Sequence, residues 1–401
     1  MRHSYDVLII GGGVAGASVA RELARYDVSV ALLERNRGLG MEMTSTNMTL
    51  VCQGGDALTF RPGTLHAELN VKSIPLWPGF AEELGVPFKR IGGLGLIRDK
   101  ADYKRFLKMY SRAFKSSLKP DAPYYIPEGS FKPLEFLDKR RLRDLEPEIN
   151  PSIQGALYDP NLAVTDPAEL TRALAENARA NGVDFFLGYE VKQVEKTPEG
   201  FRLEAGGEVF ETRYVVNAAG IEADRVAELV PGARDFSYVP VKGVLVDLDE
   251  EASTVLRHHV YLLQRPLEPH VKAAVPLLDG RLRLGIYLEY TYRSDREAGR
   301  EAVDHDLRVI EEIAPGRDYR RHISRVIVGV MPLTNAETGW HDFIVDIPDH
   351  VPGWVNIVLG PAGVSAAPML GRRVAELLAY SGLSLEPRRG FNPRARRGVE
   401  A

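Results

Sequence analysis

Residues 5–36 read YDVLIIGGGVAGASVARELARYDVSVALLERN. The run Val7–Ile10 is apolar on both faces, as a strand inside a parallel sheet must be. Gly11, Gly13 and Gly16 follow in G-x-G-x-x-G spacing, ahead of the helix-forming run ASVARELARY. In that arrangement the first glycine permits a tight turn, the second lets backbone approach a pyrophosphate, and the third lets the helix pack on the strand. The helix start, with Val14 and Ala15, offers N–H groups and partial positive charge to phosphates. A second apolar strand, VSVALLE, ends on Glu34, near the ~20-residue offset at which an acid accepts ribose hydroxyls. Glycines in such a turn also occur for purely structural reasons. Strand, helix, second strand and acid together point to a dinucleotide, and Glu34 opposes a 2′-phosphate because two anions would meet.

The far end of the chain separates a flavin dinucleotide from a nicotinamide one. The stretch GWVNIVLGPAGVSAAPMLGRRVAELL reads as a buried strand, Val355–Leu359, then a turn from Gly360 through Gly363 and Val364 to Ser365, then an apolar helix. A reduced flavin is negative around N1 and O2, and a helix N-terminus suits it. A nicotinamide site is normally completed within one contiguous half, so the second junction favours FAD; the competing reading is a last strand and helix that merely close the sheet. Between the ends, DPAELTRALAENARANGVDFFL reads as helix then strand, and YVVNAAG as a third buried strand, Tyr214–Asn217, ending at Ala219 and Gly220. Residues 76–149 carry helix-period patterns such as KADYKRFLKMYSRAFKSSL, and residues 236–330 carry strand alternation. The expected class is α/β (α+β overall), a Rossmann-like FAD-binding domain with a discontinuous antiparallel-sheet substrate domain. The boundaries are 1–75, 150–235 and 331–401 for the first, 76–149 and 236–330 for the second.

Composition bounds the rest. Of 401 residues, 51 are Lys or Arg and 55 are Asp or Glu, a net charge of -4 that gives no electrostatic case for nucleic acid. Cys52 is the one cysteine, which excludes intrachain disulfides, iron–sulfur clusters and multi-cysteine zinc sites; no metal site is read. A reducing, cytoplasmic setting is the simplest expectation. The opening MRHSYDVLIIGGGVAGASVA has an outline like a signal peptide, but Asp6 and the glycines break its apolar run. No run of ~18 apolar residues is present.

These motifs resemble the D-amino-acid oxidase superfamily of FAD-dependent oxidoreductases, most nearly the anaerobic-type glycerol-3-phosphate dehydrogenase flavin subunits, with L-2-hydroxyglutarate dehydrogenase or oxidase next. The resemblance runs through DVLIIGGGVAGASVARELARY, RPGTLHAELNV, FAEELGVPFKRIGGLGL, GALYDPNLAVTDPAELTRALAENARANGV, YVVNAAG, PVKG, SAAP and FNPRARR. It implies pyrophosphate at Gly11, Gly13 and Gly16, adenosine ribose at Glu34 with Arg35 beside it, and flavin and ribityl contacts at Thr44, Ser45 and Asn47. It further implies adenine near Val191, cofactor bordering Ala219 and Gly220, and the isoalloxazine pyrimidine edge at Gly360, Gly363, Val364 and Ser365. Two positions depart from the pattern. Cys52, in MTLVCQGG, stands where relatives carry a histidine, and Met331, in VGVMP, stands where they carry an arginine before proline.

The implied reaction takes a hydride from a small polyol phosphate or 2-hydroxy acid to flavin N5. An amine-oxidising member, or an FAD-carrying electron-relay subunit without its own substrate, is the alternative. Cys52 and Lys242 are the catalytic candidates: Cys52 as proton acceptor, flavin attachment point or packed apolar residue, Lys242 as a cation over the flavin or a solvated strand residue. On the substrate side stand Arg265 and Arg325 as replacement anion anchors, with Tyr261 and Tyr287 as pocket walls. His258 and His259 adjoin on a strand, so at most one faces the site, and a satisfied structural role is the expectation for both. The basic tail EPRRGFNPRARRGVEA suggests at most peripheral membrane contact. The electron acceptor is expected to be oxygen, a quinone or a partner subunit.

Overall fold

The computed structural model describes residues 1–52, 63–117, 132–263, 270–334 and 341–399. The opening strand, Arg2–Ile10, is the centre of the first sheet. It pairs in parallel with Val30–Glu34 on one side and with Glu208–Asn217 on the other. Asp184–Leu187 extends the sheet beyond Val30–Glu34, and Trp354–Val358 extends it beyond Asn217, both in parallel. The two ends of the chain therefore share one sheet. An antiparallel hairpin, Val191–Thr197 with Gly200–Ala205, continues the N-terminal half of Glu208–Asn217.

Both faces of this sheet are covered, which is why its strands read as unbroken apolar runs. Val7, Ile9, Val30, Leu32, Val216, Val355 and Ile357 pack under the helices Val14–Leu23 and Ala367–Tyr380. Leu8, Leu33, Val215 and Trp354 pack on the opposite face with Phe201 and Phe210. The helix Val14–Leu23 also packs against Pro167–Ala180, whose start is capped by Asp166 accepting from the Ala168 and Glu169 amides. Gly371 lets the last helix lie against the first, since a Cβ there would come within 2.6 Å of the Ser18 carbonyl oxygen.

A second eight-stranded sheet runs in the order Ile323–Thr334, Tyr238–Leu248, Leu282–Tyr290, Lys272–Pro276, His259–Leu262, Gly93–Ile97, Gly155–Asp159, Glu135–Asp138. It is antiparallel except where His259–Leu262 meets Gly93–Ile97. One face carries Leu94, Leu96, Val246, Leu248, Leu282 and Leu284 against Leu307, Ile310 and Ile313 of the helix Arg300–Ile313. Its other face presents Leu245, Ala273, Val275 and Ile327 toward Met48 and Val164. Gly155–Asp159 lies within the segment 150–235 that the sequence reading assigned to the nucleotide half, yet it pairs in this second sheet. Its apolar stretch is short, and nothing local in it distinguishes one sheet from the other. Ile323–Thr334 likewise runs through the expected boundary at 331.

The basic tail folds back on the first sheet's helices. Arg388 donates to the carbonyls of Tyr26, Val28 and Asn181, Arg394 pairs with Glu82, and Arg396 with Glu176. None of the described helices is long and apolar enough to cross a membrane.

Replacing Gly371 by leucine should force the first and last helices apart. We expect a loss of about 1–3 kcal/mol in unfolding free energy, read as a lowered midpoint in urea; an unchanged midpoint would show that the helices do not depend on this approach.

Candidate active site

A cavity of about 860 Å³ runs between the two sheets, toward the upper end of the range for ligand sites. Gly11, Gly13, Val14, Ala15, Glu34, Arg35, Thr44, Asn47, Val191, Ala219 and Gly220 line it from the N-terminal half, and Gly360, Gly363 and Val364 from the C-terminal end. The separated glycine turns thus border one space.

The geometry of the first turn follows from its glycines. Gly11 has φ +109°, and a Cβ there would stand 2.4 Å from the Ala218 carbonyl oxygen. A Cβ on Gly16 would fall 1.9 Å from the Gly11 oxygen, so this glycine keeps helix on strand and does not itself line the cavity. The Glu34 carboxylate accepts from the Gly12 amide at 2.6 Å and the Asn36 amide at 2.7 Å, which holds it buried at the cavity edge. Thr44 Oγ1 accepts from the Val14 amide at 3.1 Å, tying the 43–49 loop to the start of the helix. Arg35 pairs with Glu42 at 3.1 Å and lies 3.8 Å from Glu222. Ser45 turns away, its hydroxyl donating to the Glu42 carbonyl at 3.0 Å.

At the C-terminal turn Ala362 adopts a left-handed backbone, φ +63°, a conformation costly for a residue with a Cβ. It delivers the chain into Gly363–Ala366 and the helix beyond. Ser365 lies behind the wall, where its Oγ accepts from the Cys52 amide at 2.8 Å and its carbonyl from Trp77 Nε1 at 2.9 Å.

The 43–49 loop is clamped from the second sheet. Arg283 Nη1 donates to the Asn47 carbonyl at 2.5 Å, while its Nε and Nη2 grip the fully buried Asp247 at 2.7 and 2.9 Å. At Gly329 a Cβ would come within 2.3 Å of Thr46 Oγ1, so loop and strand touch backbone to side chain. Sequence reading missed Arg283; its one signal was a charge at an inward position of the strand RLRLGIYLEY.

Strand alternation sorts the remaining candidates. Gly243 and Leu245 face the cavity, so Lys242, one residue away, faces the helix side with Val246 and Leu248. There its ammonium binds Asp295 at 2.7 Å and Glu289 at 3.1 Å. Burial pulls Lys242 down, but the hydrogen bonds and charges of Asp295 and Glu289 outweigh it and raise its pKa. The hydrogen bond from Lys242 and those from the Glu297 amide and Thr291 lower Asp295 to about 2. Tyr287 also faces the helix, stacked on His270 at 4.0 Å and edge-on to His305. Arg325 is exposed at the strand start. The structure therefore removes Lys242, Tyr287 and Arg325 from the cavity, and Arg265 lies outside the described residues.

Cys52, Tyr261 and Met331 do line the cavity. So does His259, expected to be structural. His258 is held by Glu146 through its Nδ1 at 2.7 Å and its amide at 2.8 Å, whereas His259 points inward.

The comparisons with known proteins agree with this architecture. The profile of the FAD dependent oxidoreductase family matches residues 6–377, and the chain belongs to that family. It is 31% identical over 400 residues to a glycerol 3-phosphate dehydrogenase of Caloramator mitchellensis, covering 97% of this chain and 77% of that one. An L-2-hydroxyglutarate dehydrogenase of Nematostella vectensis is 27% identical over 298 residues, 70% of this chain and 61% of its own length. The dithionite-reduced, FAD-bound L-alpha-glycerophosphate oxidase of Mycoplasma pneumoniae superposes with a TM-score of 0.86 at 24% identity, covering 98% of both chains. The cofactor is FAD. The residues present fit it: glycine at positions 13 and 220 leaves backbone bare at the cavity, with nothing within 4 Å of a Cβ at Gly220.

Two outcomes test this geometry. Arg283→Met should free Asn47 and leave Asp247 with Arg281 alone, at 3.2 Å. We expect weaker FAD retention on dialysis and a stability loss of about 3 kcal/mol; full retention would show that the clamp does not shape the loop. Because the folded-state pKa of Asp295 is depressed from 3.8 to about 2, its contribution is present above pH ~3.8 and is lost as pH falls through about 2. Asp295→Asn should flatten the acid limb of stability against pH while leaving flavin reduction unchanged.

Proposed function

We propose that the chain oxidises a small secondary alcohol bearing an anionic group, a polyol phosphate of the glycerol 3-phosphate kind or a 2-hydroxy acid. The observation that carries this is one continuous cavity joining the phosphate-type loop to a chamber floored by the second sheet. The named activities of the similar proteins support the substrate class. In this reading the first sheet is the nucleotide half and the second the substrate half.

FAD supplies the hydride acceptor, while the protein supplies orientation and dryness. The Gly11–Ala15 turn, with Gly16 behind it, receives the pyrophosphate; Glu34, with Arg35 nearby, receives the adenosine ribose. Val191, Ala219 and Gly220 border the adenine half. Thr44 and Asn47, with Ser45 bracing their loop, face the ribityl chain. Gly360, Gly363 and Val364 face the pyrimidine edge, with Ser365 holding Cys52 behind them. The chamber beyond is walled by Leu50, Leu245, Ile286 and Met331, which exclude water, and by Tyr261. Cys52 acts as a small packed wall residue. Arg388, Arg394 and Arg396 of the C-terminal tail bind within the protein, which favours a cytoplasmic setting over contact with a membrane. Electrons leave to dioxygen, a quinone or a partner subunit.

The test is an anaerobic screen of glycerol 3-phosphate, L-2-hydroxyglutarate and small amino acids, read by loss of flavin absorbance near ~450 nm. Bleaching by a phosphate or hydroxy acid is expected. Bleaching by amino acids alone would move the chain to the amine-oxidising alternative, and no bleaching at all would reject a substrate-oxidising role. Recolouring in air separates dioxygen from the other acceptors.

A further inference from the structure

We propose that His259 is the residue that takes the substrate's hydroxyl proton, because its imidazole lines the cavity with Nδ1 anchored on the backbone and Nε2 left without a partner among the described residues. This rests on the alcohol reading above. Nδ1 lies 3.2 Å from the Ala274 carbonyl, which accepts only if Nδ1 carries the proton. That fixes the tautomer and leaves a lone pair on Nε2, which has no hydrogen-bond partner among the described residues. The ring is 6% exposed and stacks on Tyr261 with centroids 5.5 Å apart and planes 19° apart. It is the one histidine among the described cavity-lining residues.

Its position matches the task. A Cβ placed on Gly93 would lie 3.8 Å from His259 Cδ2 and 3.2 Å from Leu162 Cδ1, so these side chains are neighbours. Leu162 leads into Ala163, whose strand partner is Val51, next to Cys52. The imidazole and Cys52 thus belong to one region of the wall, at the chamber end rather than the ribose end.

The groups that face it are few. From its own strand comes Tyr261, whose ring stacks on it, and Cys52 lines the same cavity from the loop side. The adjoining strand Gly93–Ile97 bears no titratable side chain. On Lys272–Pro276, Lys272 reaches Glu312 on the helix side, and His258 is bound to Glu146. The charged lining residues, Glu34, Arg35, Glu42, Glu190, Glu222 and Arg225, belong to the nucleotide-side stretches. Without a carboxylate beside it among the described residues, burial holds His259 down to about 4, and the ring is neutral at pH 7. A neutral imidazole accepts a proton, and an anionic group on the substrate supplies the missing counter-charge for the imidazolium that results.

The step balances as follows. The substrate O–H bond breaks and its proton goes to His259 Nε2. The C–H bond breaks with its hydrogen and electron pair leaving together as hydride to the FAD that would be bound there, and the C–O bond becomes a carbonyl. An anion-bearing alcohol therefore both fills the chamber and raises the basicity of the residue that deprotonates it.

The experiment compares the parent with His259→Gln, both FAD-loaded, by anaerobic stopped-flow, beside histidine ¹⁵N NMR of the oxidised parent. The proposal expects flavin content unchanged and the reduction rate at saturating substrate lowered about 100-fold or more. It also expects one Nδ1–H imidazole that stays neutral in buffer to about pH 5 and titrates higher with inorganic phosphate or malonate present. Reduction by His259→Gln within about 3-fold of the parent overturns the proposal. So does an NMR record without an anion-sensitive neutral imidazole, and this arm decides the matter if the variant does not fold. If no compound bleaches the parent, the alcohol reading falls, and the anion-dependent titration alone upholds or overturns His259.

Discussion

Backbone packed against backbone at the end of the first strand is the constraint from which the site derives. Ile10 sits between Leu33 and Asn217 in register, so the turns leaving those three strands emerge side by side. Gly11 turns against Ala218, and Gly16 rests on Gly11. With any side chain at either glycine the helix Val14–Leu23 would be displaced. That helix is the one on which Pro167–Ala180 and Ala367–Tyr380 both lean. The C-terminal turn at Gly360–Val364 is positioned by the same register, because Trp354–Val358 joins the sheet beside Asn217. A cavity bordered by turns from opposite ends of the chain is therefore a local consequence of parallel pairing.

The second sheet works by a different economy. Its two faces do separate jobs, and each strand assigns alternate residues to them. The helix side is a hydrocarbon core with its charges paired, as in Lys242 with Asp295 and Glu289. The cavity side bears Gly243, Leu245, His259, Tyr261, Ile286, Gly329 and Met331. Arg283 is the exception on that side, and its charge is offset by Asp247 rather than offered to a ligand. The clamp it forms on Asn47 is the mechanical link between the sheets: it lets a rigid strand set the position of an irregular loop.

The first sheet and its edge of the cavity were legible because their physics is local. Glycine spacing, a buried strand, a helix start and an acid at the right offset are each read within some tens of residues, and Glu34 and Gly220 stand where that reading put them at the cavity. The far junction was legible for the same reason. The cavity face of the second sheet was not, because the face on which a strand residue falls depends on register, and register is fixed by distant partners. Lys242 and Gly243 are adjacent, and only the pairing with Leu282–Tyr290 and Ile323–Thr334 decides that glycine looks inward. The choice between His258 and His259 was open on the same ground; Glu146, more than a hundred residues earlier, settles it by binding the first. Gly155–Asp159 was grouped with the first sheet's segments but pairs in the second, because a five-residue strand carries no label for its sheet.

The same separation explains how one scaffold can change its substrate without losing its cofactor. The residues proposed for the dinucleotide present largely backbone and glycine to the cavity, and replacing Gly11 or Gly16 disturbs the sheet itself. Residues that face the chamber are side chains on strands whose other face makes the core, and they change without altering a main-chain hydrogen bond. Met331 is such a position: it pairs with Val241 in the ladder whatever its side chain is. An arginine there would bring a fixed charge that must be matched by an anion or left costly in a dry space. Methionine removes that demand, and the chamber becomes one in which charge arrives with the substrate rather than waiting for it. The neutral His259 belongs to the same design, since an imidazole kept uncharged by burial is compatible with an apolar chamber between turnovers and acquires its partner only when an anion enters.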